Sequence, residues 1–260
     1  MTAQVVGGGT GPVALRALQT LGAFTPDHPS LSLTEIARRA GVPLTTAHRL
    51  VAALAEWGAL ERDASGRYHV GLRLWEVGSL APRGLGLREL ALPFMEDLSQ
   101  VTHENVQLAV RDGVESVYVE RIAGRSAVRV LTRVGGRFPL HPTGVGRVLL
   151  AHAPVDVQQR VLDGPLQRFT PWTVTSPTAL RSVLAEVRRS GYAVNDREVT
   201  PDALSVAAPV RGPDGRVLAA LSLVVRADGA SAPALAPLVM AGARGISRVV
   251  VEAAVTDPLS

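Results

Sequence analysis

The chain contains no cysteine and no lysine. Without thiols it has no disulfide, no thiol nucleophile and no Cys-ligated zinc, a composition compatible with a reducing compartment. All 27 basic residues are arginines, against 23 Asp and Glu, for a net charge of +4. Arginine stays protonated to very high pH, so the basic balance says little about a polyanionic partner. Aromatics make up only 4% of the residues and charged residues 19%, whereas hydrophobic residues make up 47%. Cores of Leu, Val and Ala follow, and wholesale disorder is excluded. No uninterrupted apolar run reaches the ~18 residues of a membrane span. The glycine-rich start, residues 7–11, is unlike the basic segment and apolar core of a secretory leader. A cytoplasmic protein with no membrane partner is expected.

The length, 260 residues, suits one large domain or two ordinary ones. Residues 1–11 read as a flexible tail. From Pro12, the positions Val13, Leu15, Leu18 and Leu21 give an apolar stripe near the helical period, broken between Pro26 and Pro29. Ser32 and Glu35 have capping-box spacing, so Ser32 opens a second helix that runs to Ala40. Gly41-Val42-Pro43 stops it, because glycine supplies a positive φ and proline cannot sit in a helix interior. A third helix spans 44–57 and ends at Gly58. Two short strands, 59–62 and 67–70, flank the turn signal Asp63-Ala64-Ser65-Gly66. Helix, turn, helix and hairpin in this order make a winged helix-turn-helix over residues 12–80.

Pro82, Gly84 and Gly86 mark a boundary, and residues 81–102 read as a linker helix. From 103 to 260 the pattern changes. Strands are expected at 106–110, 117–120, 128–130, 192–194, 205–210 and 217–225. Helices are expected from Gly144 to about Ala153, over 178–190 and over 233–254, with a proline-spaced stretch between 153 and 177. The fold class is α+β.

A recognition helix presents short polar and basic side chains to base edges at its N-terminal end. Pro43 and Leu44 open the third helix here, and Thr45, Thr46, His48 and Arg49 lie on or near its polar face. Thr methyls can touch thymine, and Arg49 can reach guanine or phosphate. Ser32 and Thr34 can bond phosphate at the start of the second helix, and Arg67 and Tyr68 can reach DNA from the wing. Seven arginines face six acidic residues in the first 80 positions, so affinity must come from placement rather than bulk charge. The competing reading makes Ser32 and Thr45 helix caps and Arg49 a solvated surface charge.

The chain as a whole resembles the IclR family of bacterial regulators. LSLTEIARRAGVPLTTAHRLVAALAEWGALERDASGRYHVGLRLWEVG (31–78) is similar to that family's DNA-binding domain. RVGGRFPLHPTGVGRVLLA (133–151), LAEVRRSGYAVNDREVTPDALSVAAPV (184–210) and GRVLAALSLVV (215–225) resemble its effector domain in matching order. The resemblance covers roughly residues 10–250. It implies a GAF-like C-terminal domain that binds a small organic acid or aromatic metabolite. It also implies a homodimer or homotetramer on a palindromic double-stranded operator, with no cofactor and no catalytic residue. By the same resemblance, Gly144, Val145, Asn195, Ser205, Ser222 and Val224 line the effector pocket, with Phe138 and Leu140 as apolar wall.

Elementary chemistry supports part of that set. Gly144 and Gly146 at a helix start expose N–H groups suited to a carboxylate. Ser205 and Ser222 lie in apolar strands, where a buried hydroxyl needs a partner. Members with small-acid ligands carry Asp, Cys and Ser where this chain has Asn195, Ser205 and Val224, so a two- or three-carbon acid is not carried over. The family's Lys is Arg147 here. The six His are scattered, which argues against a metal site. Neither short glycine pair has the context of a dinucleotide loop. Two other classes stay open: an enzyme or metabolite-binding module using Asp196 and Glu198, and a DNA-binding protein whose second domain serves only association.

Overall fold

The computed structural model describes residues 12–81, 85–124 and 127–256. The expected tail, 1–11, lies outside them. The chain divides into two compact units, residues 1–81 and 82–260.

The first unit runs α1 (Val13–Leu21), β1 (Ser30–Leu31), α2 (Leu33–Ala40), α3 (Leu44–Trp57), β2 (Leu60–Arg62), β3 (Tyr68–Val70) and α4 (Leu72–Ser79). A full capping box starts α2. Ser32 Oγ accepts the Glu35 N–H at 3.3 Å, and the Ser32 N–H donates to Glu35 Oε2 at 2.7 Å. Gly41 ends α2 at φ 66°, a left-handed conformation that a side chain would strain. Ala23, Leu31, Ile36, Val51 and Leu60 form the core beneath α2 and α3. Ala37, Val42 and Ala47 close the helix-turn-helix junction.

One strand was not expected. β1 pairs antiparallel with β3, Ser30 opposite His69 and Leu31 opposite Tyr68, so the wing is three-stranded in the order β1-β3-β2.

The second unit runs α5 (Leu85–Thr102), β4 (Asn105–Asp112), β5 (Glu115–Ile122), β6 (Arg137–Pro139), α6 (Gly144–Ala151), α7 (Val155–Asp163), α8 (Pro177–Ser190), β7 (Ala193–Asp196), β8 (Ala203–Arg211), β9 (Val217–Arg226) and α9 (Ala232–Thr256). Its strands form one antiparallel sheet, β6-β5-β4-β9-β8-β7. On one face, Val106, Leu108, Val206, Leu221 and Leu223 pack against Met95 of α5 and Val239, Ala243 and Ile246 of α9. The helix expected as a linker is therefore packed into this unit. Helix α9 is long and apolar enough to cross a membrane by length and composition. Its inward side lies in the core and it carries Arg244 and Arg248, so it is a core helix here.

The other face carries Ala109, Ala207 and Ala220, small residues that let α6 approach the sheet. Strand side chains alternate between faces. Two residues further along the same face, the alanines give way to Gln107, Ser205 and Ser222, and Ala193 of β7 gives way to Asn195. The face therefore changes from apolar packing to polar lining beside the start of α6.

Two expectations in this unit are corrected. Residues 128–130 are not a strand, because β6 takes the edge of β5 that they would need. Asn105 Nδ2 instead donates to the Val128 carbonyl at 2.8 Å, holding the segment over the sheet face. The proline-spaced stretch contains α7, whose Val157 and Val161 are buried against the α6 side of the core.

Candidate functional site

In the first unit, Ala47, Leu50 and Val51 turn one side of α3 into the core. Pro43, Leu44, Thr45, His48 and Arg49 are exposed on the other side, and Thr46 is half-buried. The N-cap position is Pro43, with no side-chain capping bond, so Thr45 is not consumed as a cap. Among the described residues, the side chains of His48 and Arg49 form no hydrogen bond or ion pair. Thr34 is exposed in the first turn of α2, and Arg38 is exposed one turn later. Placement of charge favours anion contact on this side, where helix N-termini add their own partial positive charge.

The wing residues differ from expectation. Arg67 Nη2 donates to the Ser30 carbonyl at 2.7 Å and to Glu35 Oε2 at 2.9 Å. Tyr68 is half-buried and packs against the core under α2. Both gain internal partners because β1 pairs with β3, and that two-residue strand left no periodicity to read; the Arg67 side chain stays 41% exposed. Arg62 sits at the wing instead, its guanidinium 5.6 Å from the Tyr68 ring and its Nε donating to the Gly66 carbonyl. Its position beside the hairpin turn was the available signal. The Ser32 N–H, ahead of the Ser32 hydroxyl and Arg67, holds the Glu35 carboxyl below its usual range.

In the second unit, Gly144, Val145, Asn195, Ser205, Ser222 and Val224 line one cavity of about 430 Å³, its open mouth included. Phe138 and Leu140 do not line it. They are buried in the core below α6, where Phe138 stands edge-on to Tyr118 with ring centroids 6.3 Å apart. Their place in sequence just before α6 suggested the wall, but side-chain alternation in β6 turns Phe138 into the core.

The cavity is built around the start of α6. Thr143 is the N-cap, its Oγ1 accepting the Gly146 N–H at 3.0 Å. A Cβ on Gly146 would stand 2.3 Å from the Leu140 carbonyl oxygen, and one on Gly144 would stand 2.9 Å from Ser205 Oγ. Only glycine lets the first turn sit this close to the turn before it and to β8. First-turn N–H groups have no acceptor within their own helix. With Gly146 served by Thr143, those of Gly144 and Val145 remain at the cavity wall. Asn195 Nδ2 donates to the Pro142 carbonyl and so fixes the approach to that turn.

Ser222 is 1% exposed, and its Oγ has no hydrogen-bond partner among the described residues. A buried hydroxyl left in this state costs on the order of 1–3 kcal/mol. Tyr118, on the same wall, is fully buried, and burial pushes its phenol well above its ordinary range, so it stays protonated. Among the described residues, no charged side chain lines the cavity.

Gln107, Thr132 and Thr143 line the cavity without having been singled out in the sequence. Gln107 left a signal there, as a polar residue between Val106 and Leu108 in an otherwise apolar strand. Behind α6, Arg147 Nη2 pairs with Glu198 Oε2 at 2.5 Å, with both side chains buried. Arg147 also donates to the carbonyls of His141 and Val194. Glu198 accepts the Val174 N–H as well and is spent on structure, while Asp196 is exposed and pairs with Arg197. Among the described residues, no three His, Asp or Glu gather where a metal would bind.

Comparison with known proteins agrees with this division. Residues 13–64 match the IclR helix-turn-helix domain, and residues 81–248 match the bacterial transcriptional regulator IclR C-terminal domain. The chain is 35% identical over 210 residues to the HTH-type transcriptional regulator XynR of Escherichia coli, covering 80% of this chain and 83% of that one. It is 34% identical over 222 residues to the HTH-type transcriptional regulator BhcR of Paracoccus denitrificans, covering 84% and 80%. Among solved structures, an IclR homolog from Microbacterium hydrocarbonoxydans complexed with 4-hydroxybenzoate shares 39% identity at a TM-score of 0.86, covering 92% of this chain and 99% of that one. The two family models thus cover the helix-turn-helix and most of the second unit, and the chain belongs to the IclR family of bacterial transcriptional regulators.

Proposed function

We propose that the protein is an effector-responsive regulator whose affinity for a palindromic operator changes when a small carboxylic acid occupies the cavity. The unpartnered Ser222 hydroxyl carries this reading, since a buried donor at a cavity wall awaits an acceptor from the ligand. The ligand carboxylate meets the Gly144 and Val145 N–H groups, where the helix dipole favours negative charge. The 4-hydroxybenzoate bound by the Microbacterium relative supports an aromatic acid. Thr45, Thr46, His48 and Arg49 read the DNA, with Thr34 and Ser32 on phosphate. The protein acts in the cytoplasm as a homodimer or homotetramer, with operator half-sites about 34–36 Å apart or a multiple of that. It performs no catalysis, because Glu198 is locked in its ion pair and Asp196 faces solvent.

The test joins two measurements. A thermal-shift screen over aliphatic and aromatic carboxylic acids should raise the melting temperature with at least one class. Footprinting upstream of the protein's own gene should show protection that the same acid alters. Protection that is absent with and without every acid removes the operator reading, and a flat screen removes the effector reading.

A further inference from the structure

Two neighbouring residues of β5 serve opposite faces of the sheet. Arg121 stands opposite Gln107 in the register, on the cavity face. Glu120 stands opposite Leu108, whose side chain lies in the core against α5 and α9. Strand side chains alternate, so the two faces are joined here through a single peptide unit. The Glu120 carboxylate reinforces that joint. Its Oε1 accepts the Arg121 N–H at 2.7 Å, and its Oε2 pairs with Arg88 Nε in the first turn of α5.

On the cavity face, Arg121 helps to hold the segment 128–132. Its Nη1 donates to the Thr132 carbonyl at 3.5 Å and its Nη2 to Asn105 Oδ1 at 3.1 Å. Asn105 in turn donates to the Val128 carbonyl, and Gln107 Nε2 donates to Thr132 Oγ1 at 2.7 Å. Val130, Leu131 and Thr132 of this segment line the cavity.

The Arg121 attachment is easily rearranged. Its Nε is buried without a hydrogen-bond partner, and among the described residues no carboxylate pairs with the guanidinium. Bonds to neutral acceptors are weaker than those to a carboxylate, and one of the two is at the limit of length. The strand is loosened at the same place. Pairing with β4 slips between Leu108 and Ala109, which leaves Val119 as an extra residue beside Glu120. Such a bulge interrupts the ladder and bends the strand locally.

From this we infer that Glu120 and Arg121 form a relay through the sheet, which couples the segment 128–132 at the cavity to Arg88 and the first turn of α5. Helix α5 is the first element of the second unit, the one the chain enters on leaving the DNA-binding unit. A ligand moves a relay only if it contacts the two placements of the segment differently, and Thr132 offers that contact. The effector reading thus supplies what moves the segment, whereas the coupling belongs to the ligand-free chain.

The test exploits the absence of cysteine, because a single introduced thiol then reports alone. Val128 is buried, so maleimide labelling of Val128→Cys in the full chain requires the segment to open, and its rate follows that opening. Arg88→Met, on the opposite face, should speed this labelling roughly threefold or more. Arg88→Lys, which keeps a cation for Glu120, should stay near the native rate. Glu120→Gln, which keeps the shape without the charge, should match Arg88→Met. In the other direction, Arg121→Met should speed labelling of Ala91→Cys, buried in α5, by a similar factor. Val157→Cys, buried in α7, should stay within about twofold in every variant, which separates the relay from general loosening. An unchanged rate at either distant thiol overturns the relay, as does equal acceleration at Val157→Cys. These rates need no ligand, so they decide the coupling even where a flat thermal-shift screen removes the effector reading.

Discussion

Removing Glu198 should cost more stability than removing any other single carboxylate in the described chain. Arg147 and Glu198 keep only 3% and 8% of their side-chain surface exposed, so little water can take over for either charge. With Glu198→Leu the guanidinium keeps its bonds to the His141 and Val194 carbonyls but loses its counter-charge, and the Val174 N–H loses its acceptor. Breaking a buried pair from one side costs about 3–5 kcal/mol. For a unit of this size each kcal/mol is about 2–4 °C in melting temperature, so a fall of roughly 6–20 °C is expected. Scanning calorimetry of the full chain would follow the transition of the second unit, and urea unfolding read by tryptophan emission in a Trp57→Phe/Trp75→Phe background, where Trp172 is the remaining indole, would follow the loop that Glu198 anchors. The double variant Arg147→Met/Glu198→Leu leaves no charge to desolvate and should recover most of the loss. A loss under about 1 kcal/mol for the single variant, or a double variant no better than the single, would refute the reasoning.

Other outcomes follow from the same contacts. Arg49→Ala should weaken operator binding by about 1–3 kcal/mol in a gel-shift titration with unchanged melting temperature. Arg67→Ala should do the reverse, lowering melting temperature first, because its guanidinium ties the wing to α2. Ser222→Ala should raise the stability of the ligand-free protein by about 1 kcal/mol while weakening acid binding by calorimetry; a variant that loses both would mean the hydroxyl is satisfied. Burial, assisted by Arg147, pushes the His141 imidazole below its ordinary 6.5 despite an opposing bond to the Gln167 carbonyl, and burial shifts His152 the same way. Below pH 6.5 the unfolded chain gains protons that the folded chain resists, so the stability of the second unit falls as pH drops through that window. Urea midpoints at about pH 7.5 and about pH 5.5 measure the slope, and His141→Gln should flatten it.

The elements read best from sequence were those with strong local chemistry. The Ser32–Glu35 box and the Gly41 and Gly58 stops bracket α2 and α3, and the structure places both helices between those signals. Strands β8 and β9 were legible as apolar runs because both their faces are buried. What escaped depended on partners far along the chain. Strand β1 has two residues and exists through β3, so Arg67 and Tyr68 looked free. The β-branched alternation at 128–130 fits a strand, yet no sheet edge was open to receive it. Gln107 and Thr132 are 25 positions apart and meet only after β4 and β5 have paired. Gly144, Ser205 and Ser222 came through the family resemblance, while Gln107 and Thr132 emerged from the fold alone.

The segment at 128–132 is attached to its sheet by side chains and by the small apolar contact of Val128 with Ala203 and Val224, not by a strand ladder. It can therefore be replaced as a part. Exchanging it together with positions 105 and 107 would give the sensor a new wall while leaving the sheet register intact. A library built on those few residues would vary what the protein detects independently of how it folds, a separation that suits both natural divergence and the construction of new metabolite reporters.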